Sequence, residues 1–139
     1  MTLTTNTSGN IDFLPLFDVA DPFNTAPYTV PAGKRLLVQF ISGRFQTPTG
    51  AHFAGTTFDG GVRPHPGATT GVLPVNEVLA PQLITAGDFN IYQVSQPLWI
   101  FEDAGAQLAV TVGLTSGSFA TNGFFVVRGY LVDCTDACP

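Results

Sequence analysis

The segment from Tyr28 to Phe45, YTVPAGKRLLVQFISGRF, constrains the fold more than any other part of the chain. Tyr28, Thr29 and Val30 are strand formers. Pro31-Ala32-Gly33 is a turn in which proline presets φ and glycine accepts a positive φ. From Arg35 the side chains alternate, with Leu36, Val38 and Phe40 on one face and Arg35, Leu37, Gln39 and Ile41 on the other. Gly43 interrupts the run and Phe45 falls out of phase with Phe40, which is the trace a β-bulge leaves in a sequence. The segment therefore reads as two strand halves joined by a tight turn.

The same period of two recurs along the chain. Residues 1–10, MTLTTNTSGN, read as a polar arm. Ile11, Phe13, Pro15 and Phe17 then alternate with Asp12, Leu14, Leu16 and Asp18, and Pro15, having no N–H, belongs at a sheet edge or strand end. From Thr47 to Gly87 the pattern weakens. His52 to Phe58 fits a strand with Phe53 and Thr57 inward, Asp59-Gly60-Gly61 reads as a turn, and residues 63–67 (RPHPG) as rigid extended loop. Val72 to Leu79 is open between a strand and one helical turn. Order returns with Phe89–Val94 and, beyond Pro97, Leu98–Phe101. After the turn at Glu102-Asp103-Ala104-Gly105, Leu108, Val110, Val112 and Leu114 face inward while Gln107, Ala109, Thr111 and Gly113 face out. Phe124 to Val132 is apolar on both faces, as in a central strand covered on both sides.

Seven or eight short strands separated by Gly and Pro turns, with no helical periodicity, specify an all-β fold. The expected architecture is an antiparallel β-sandwich of jelly-roll type spanning residues 11–133, with a C-terminal tail at 134–139. An immunoglobulin-like sandwich is the alternative, although it lacks the cysteine pair around a core tryptophan. The framework Tyr28-Thr29-Val30-Pro31-Ala32-Gly33-Lys34-Arg35-Leu36, followed by Gly129-Tyr130-Leu131-Val132-Asp133, resembles a set of small exported bacterial all-β proteins of unassigned function. The resemblance covers residues 26–45 and 89–133. It implies an exported all-β domain and brings no catalytic residues. The sequence departs from that set in showing neither the basic nor the apolar region of an export signal at its N-terminus.

Charge excludes several partner classes. Only 11% of residues are charged, against ~25% in ordinary soluble domains, and the net charge is −5. The five basic residues are Lys34, Arg35, Arg44, Arg63 and Arg128, of which only the first two are adjacent. Nucleic acid binding draws its affinity from clustered cations, and so does docking on an anionic membrane, so neither partner is expected. No apolar run is long enough for a transmembrane helix. A low charge density suits an extracellular, cell-surface or virion-surface protein.

Candidate chemistry is sparse. His52 and His65 form no cluster of three or four ligands, so no metal and no cofactor are expected. Asp59, Arg63 and His65, with His52, are the candidate ligand-binding residues because they sit in the weakly patterned loops, where function concentrates. Glu102 and Asp103 are adjacent and point to opposite faces, which does not suit a paired-carboxylate mechanism and reads as a solvated turn. Cys134 and Cys138, spaced C-x3-C, are candidates for a disulfide, within or between chains. Trp99 with Tyr92 could form a sugar-stacking platform, but its four-residue apolar run favours core or interface packing. Arg128, in the most apolar strand, calls for an acid partner such as Asp12, Asp88 or Glu102.

Two functions follow. The first is a non-enzymatic structural or interaction module that forms a homo-oligomer through surplus apolar faces, namely Leu37 and Ile41 on one strand and Phe124, Val126 and Tyr130 on another. The second is a carbohydrate-binding module that holds a glycan in the 47–87 loops.

Overall fold

The computed structural model describes residues 1–5, 10–11, 13–21, 23, 26–50, 53–61, 75–85, 87–114 and 120–134. Ten strands run through them: β1 (Thr2–Thr5), β2 (Asn10–Ile11), β3 (Phe13–Asp18), β4 (Lys34–Pro48), β5 (Phe53–Gly61), β6 (Val75–Leu79), β7 (Gln82–Thr85), β8 (Phe89–Glu102), β9 (Gln107–Leu114) and β10 (Ala120–Asp133). Every pairing is antiparallel, and no described segment is helical. The fold is all-β, as expected. Its strands form one sheet in the order β6-β5-β9-β3-β1-β10-β4-β8-β7, with β2 pairing to β10 off that path. The sheet curls as a half-barrel, so that β9 packs against β10 and β6 against β8 across the interior.

The curl turns on β3. Leu16, Phe17 and Asp18 pair with β1, whereas Phe13, Leu14 and Pro15 pair with β9. Pro15 sits at this handover, where a residue without an N–H costs no ladder bond on its other side. Each half of β3 is thus an edge, which is how a proline fits inside the sheet. β1 itself corrects the expectation of a polar arm. Leu3 is fully buried, and Thr5 is buried with its hydroxyl accepting the Phe125 N–H at 2.9 Å. Thr is β-branched and suits a strand, and one well-placed Leu supplies the burial.

β4 lies between β10 and β8 and carries the main irregularity. Val38 pairs with Gly129 and Ile100, but Phe40 pairs with Arg128 and Pro97, so both registers shift at Gln39. Leu36 and Val38 face the core before this point, and Ile41 and Phe45 face it afterwards. The bulge expected at Gly43 therefore lies four residues earlier. Phe40, expected inside, is only half-buried, while Ile41, expected on the outer face as an interface residue, is 0% exposed and part of the core. Pro97 does not divide two strands. It lies within β8 at the same irregularity, beyond the stretch where β7 pairs with β8 through Gln93, Tyr92 and Ile91.

Other expectations are met or moved for local reasons. Gly33 and Gly105 both take positive φ (72° and 84°) in turns closed by Lys34 N–H to Pro31 O and Ala106 N–H to Asp103 O. The two turns lie against each other, because Val30 N–H bonds Ala106 O at 2.9 Å and Gly105 N–H bonds Val30 O at 2.8 Å. Tyr28–Val30 consequently joins the start of β9 through a single bridge, Thr29 to Gln107, and does not pair with β4. Asp59-Gly60-Gly61 is not a turn but the end of β5, and the inward residues there are Thr56 and Phe58 in place of Thr57. The side chain of Phe53 lies outside the described residues. In β9, Leu108, Val110 and Val112 are buried as expected, and Ala109 is buried too, between its register partners Pro15 and Asp59.

Three substitutions test these registers. Ile41→Ala should cost about 2–5 kcal/mol in denaturant unfolding, against about 1 kcal/mol for Phe40→Ala. The reverse order would put the bulge back at Gly43. Val110→Asp should abolish cooperative unfolding altogether, because it places an unpaired charge in the interior.

Candidate functional site

Of the residues proposed for ligand binding, only Asp59 is among the described residues. His52, Arg63 and His65 lie outside the described residues, as does most of the 47–87 segment's centre. Asp59 is described, and it is only 3% exposed. Its Oδ2 accepts the Thr111 hydroxyl, and its Oδ1 has no partner among the described residues. Cys134 is half-buried and its N–H bonds Gly33 O at 2.9 Å, while Cys138 lies outside the described residues. Among the described residues no three His, Cys, Asp or Glu side chains group closely enough to hold a metal ion.

Several large apolar groups remain in solvent together on the outer face of β10-β4-β8, while others, such as Phe23 and Val78, are exposed elsewhere. Trp99 is 71% exposed, and Phe101 and Tyr130 are about half exposed. Phe101 and Tyr130 are the cross-strand partners of Leu37 on either side, so all three share a face. Leu37 is 5% exposed and lies outside the core cluster, flanked by those two rings. At the end of this patch the Arg35 guanidinium lies 5.1 Å from the Phe101 ring centroid, and its Nε donates to Asp103 Oδ1 at 2.7 Å. Tyr92 points the opposite way and stacks on Phe45 in the interior, with centroids 5.2 Å apart. Trp99 and Tyr92 therefore form no common platform. The outer face of β10 was expected to be covered, yet Phe124 is about half exposed.

Toward the Phe124 end the same face becomes concave. Ser42, Arg44, Gln93, Phe124 and Val126 border a recess of about 430 Å³, with the backbone of Gly43 and Val94 as its floor. A second recess, about 260 Å³, adjoins it and shares Arg44, with Gln46, Ile91 and Asn122 on its far side. Gly43 is required here. A Cβ would stand 2.5 Å from the Phe124 carbonyl oxygen and 2.5 Å from the Phe125 ring. Below the floor, Phe125 and Tyr92 each stack on Phe45, so the recess rests on packed aromatic rings. Arg128 projects from the outer face, exposed, with no ion pair to Asp88, Glu102 or any other described acid. Asp12, the other acid expected as its partner, lies outside the described residues, and exposure removes the need for a partner.

Glu102 is the chemically unusual group. It was expected on a solvated turn, but it is 4% exposed and faces inward where β6 meets β8. Asn76 Nδ2 donates to its Oε1, and the carboxyl occupies the space a side chain at Gly60 would need. Burial pushes its pKa from 4.5 up to about 7, with neighbouring Asp103 adding to the rise and the Asn76 amide opposing it.

No protein-family model matches the chain, and no curated protein matches it. Sequence reasoning found Leu37, Phe124, Val126 and Tyr130 but missed Phe101 and the exposure of Trp99. The signal was present: four successive apolar residues in one strand must put two on each face. Glu102 left no such signal, because its burial depends on Gly60 and Asn76, which are distant in sequence.

The buried carboxyl sets a pH dependence. Between its unfolded and folded pKa the native state holds more protons than the unfolded state, so stability falls as pH rises. The contribution is fully present below about pH 4.5, declines through the interval and is gone above about pH 7, amounting to roughly 3 kcal/mol. Denaturant midpoints measured across this range should fall for the wild type and stay level for Glu102→Gln, which keeps an acceptor for Asn76. An unchanged slope in the variant would remove Glu102 as the cause.

Proposed function

We propose that this protein is a non-enzymatic interaction module that assembles with copies of itself through the aromatic end of the outer β10-β4-β8 face. The observation that carries the reading is the patch of Trp99, Phe101 and Tyr130 in solvent around the nearly buried Leu37. Isolated exposed apolar residues are ordinary, but a contiguous aromatic group on one sheet face is what an interface core looks like. Removing three such rings from water is worth ~1.5–3 kcal/mol each, a gain that association entropy partly offsets. The charges also favour this end for a two-fold contact. Arg35 is neutralised by Asp103, whereas at the other end two copies would bring one Arg44 against another.

The strand order supports a jelly roll for the scaffold. One half of the path is β1-β10-β4-β8-β7 and the other is β6-β5-β9-β3; from β3 onward the chain crosses between them at every connection except β5-β6 and β7-β8, which pair as neighbours, as in a pair of wrapped Greek keys. A single core cluster draws side chains from both halves. Such scaffolds carry many unrelated functions, so the fold adds nothing to the functional reading by itself. The sparse charge and the resemblance to small exported proteins support an extracellular, cell-surface or virion-surface setting.

Sedimentation equilibrium at micromolar concentration should return a multiple of the 14.7 kDa chain mass. The double variant Trp99→Ser, Phe101→Ser should sediment as a monomer with unchanged circular dichroism. A wild type that sediments at the chain mass would sink the proposal.

A further inference from the structure

We infer that the paired recesses beside Arg44 bind an extended carboxylated oligosaccharide, a uronate chain, with one carboxylate on the Arg44 guanidinium and a sugar ring against Phe124. This site lies apart from the aromatic patch. Phe124 and Tyr130 are separated along β10 by about 20 Å at roughly 3.3 Å per residue. It is also distinct from the 47–87 loops.

Charge placement supplies the first argument. The chain is acidic overall, at −5, yet β4, β8 and β10 contain only two acids. Glu102 faces inward, and Asp133 is paired with Lys34 at the far end of the sheet. Arg44 and Arg128 therefore stand exposed on a face where no described acid pairs with them. A guanidinium presents a planar fork of donors suited to a carboxylate, and here that fork is unused by any described acid.

Shape supplies the second. The larger recess, about 430 Å³, falls within the roughly 300–1,000 Å³ of small-molecule sites. Because Arg44 borders both recesses, a ligand with an anionic group at its middle and rings on either side matches the surface better than a compact anion. The Phe124 ring offers an apolar face for the C–H side of a pyranose, while Gln93 and Ser42 carry the amide and hydroxyl that sugar hydroxyls need. The floor is backbone held over the stacked Phe125, Phe45 and Tyr92 rings, so little order is lost on binding.

The third argument separates a glycan from an acidic peptide. Peptides that bind sheets usually add to an edge, where free backbone groups supply most of the affinity. At this site β4 is paired on both sides, to β10 and β8, and its backbone groups are committed. What remains is a side-chain surface of one aromatic ring, one guanidinium and small polar groups, which suits rings and hydroxyls.

Isothermal titration with trimers of galacturonate and of mannuronate, with neutral cellotriose and with hexaglutamate tests the assignment. At least one uronate trimer should bind saturably, with cellotriose at least tenfold weaker. Arg44→Gln and Phe124→Ala should each weaken that binding about tenfold or more while leaving the thermal midpoint of Arg44→Gln unchanged, since the side chain is exposed. The Trp99→Ser, Phe101→Ser variant should bind as the wild type does, so failure of self-assembly and failure of this site remain distinguishable. Absence of uronate binding at millimolar concentration would overturn the inference. So would equal affinity for hexaglutamate, or uronate binding untouched by both recess variants.

Discussion

The one-residue shift at Gln39 in β4 decides what this molecule shows to its surroundings. Before it, even-numbered side chains of β4 enter the core; after it, odd-numbered ones do. Leu37 is thereby set outward between Phe101 and Tyr130, and Arg44 outward between Phe124 and Gln93. Without the bulge, continued alternation would bring Phe40 and Arg44 inward and Ile41 and Phe45 into solvent. A buried Arg44 without an acid would cost more than the strand could recover. The bulge is thus the device by which one central strand supplies a continuous core on one face and two chemically different surfaces on the other.

Much of the scaffold was legible from residue patterns, and the errors have specific causes. The inner residues of β9 and β10 read correctly at Leu108, Val110, Val112, Phe125 and Val127, where Val, Leu and Phe recur at every second position. The Gly33 and Gly105 turns read correctly because only a glycine takes that φ without strain. The bulge was sought at a glycine, but Gly43 serves a different need, the close approach of the Phe125 ring, so the signal was real and its meaning was misassigned. Asp59-Gly60-Gly61 misled in the same way. Gly60 leaves room for Glu102, and the strand continues because Asp59 finds Thr111 on the neighbouring β9. Such reasons are non-local contacts, and no window of sequence contains them.

The candidate sites were less legible than the fold. Apolar residues on both faces of a strand do predict something unusual, but they do not say whether the second face will be covered. In β10 no part of the same chain buries Phe124 or Tyr130, which are each about half exposed. A lone arginine such as Arg128 in an apolar strand requires an acid only where the charge is buried. Once the outer face is known to be open, the same residue stops being a problem of burial and becomes part of a cationic surface.

That surface bears on how copies of the chain can meet. Asp18, Asp21, Glu77 and Asp88 lie outside the three strands that carry Arg44 and Arg128, so the chain has an arginine-bearing face and a largely acidic remainder. A head-to-tail contact between the arginine face of one copy and the acidic side of the next is electrostatically favourable, and such a contact does not close on itself. It would propagate into open assemblies and occupy the Arg44 recess. A two-fold contact through Trp99, Phe101 and Tyr130 avoids both consequences: Arg35 at the end of that patch is neutralised by Asp103, and Arg128, two residues from Tyr130, stands at its border. It closes at two subunits and leaves both Arg44 recesses free. Salt separates the alternatives: screening weakens the head-to-tail contact, whereas an aromatic contact holds or tightens as salt rises.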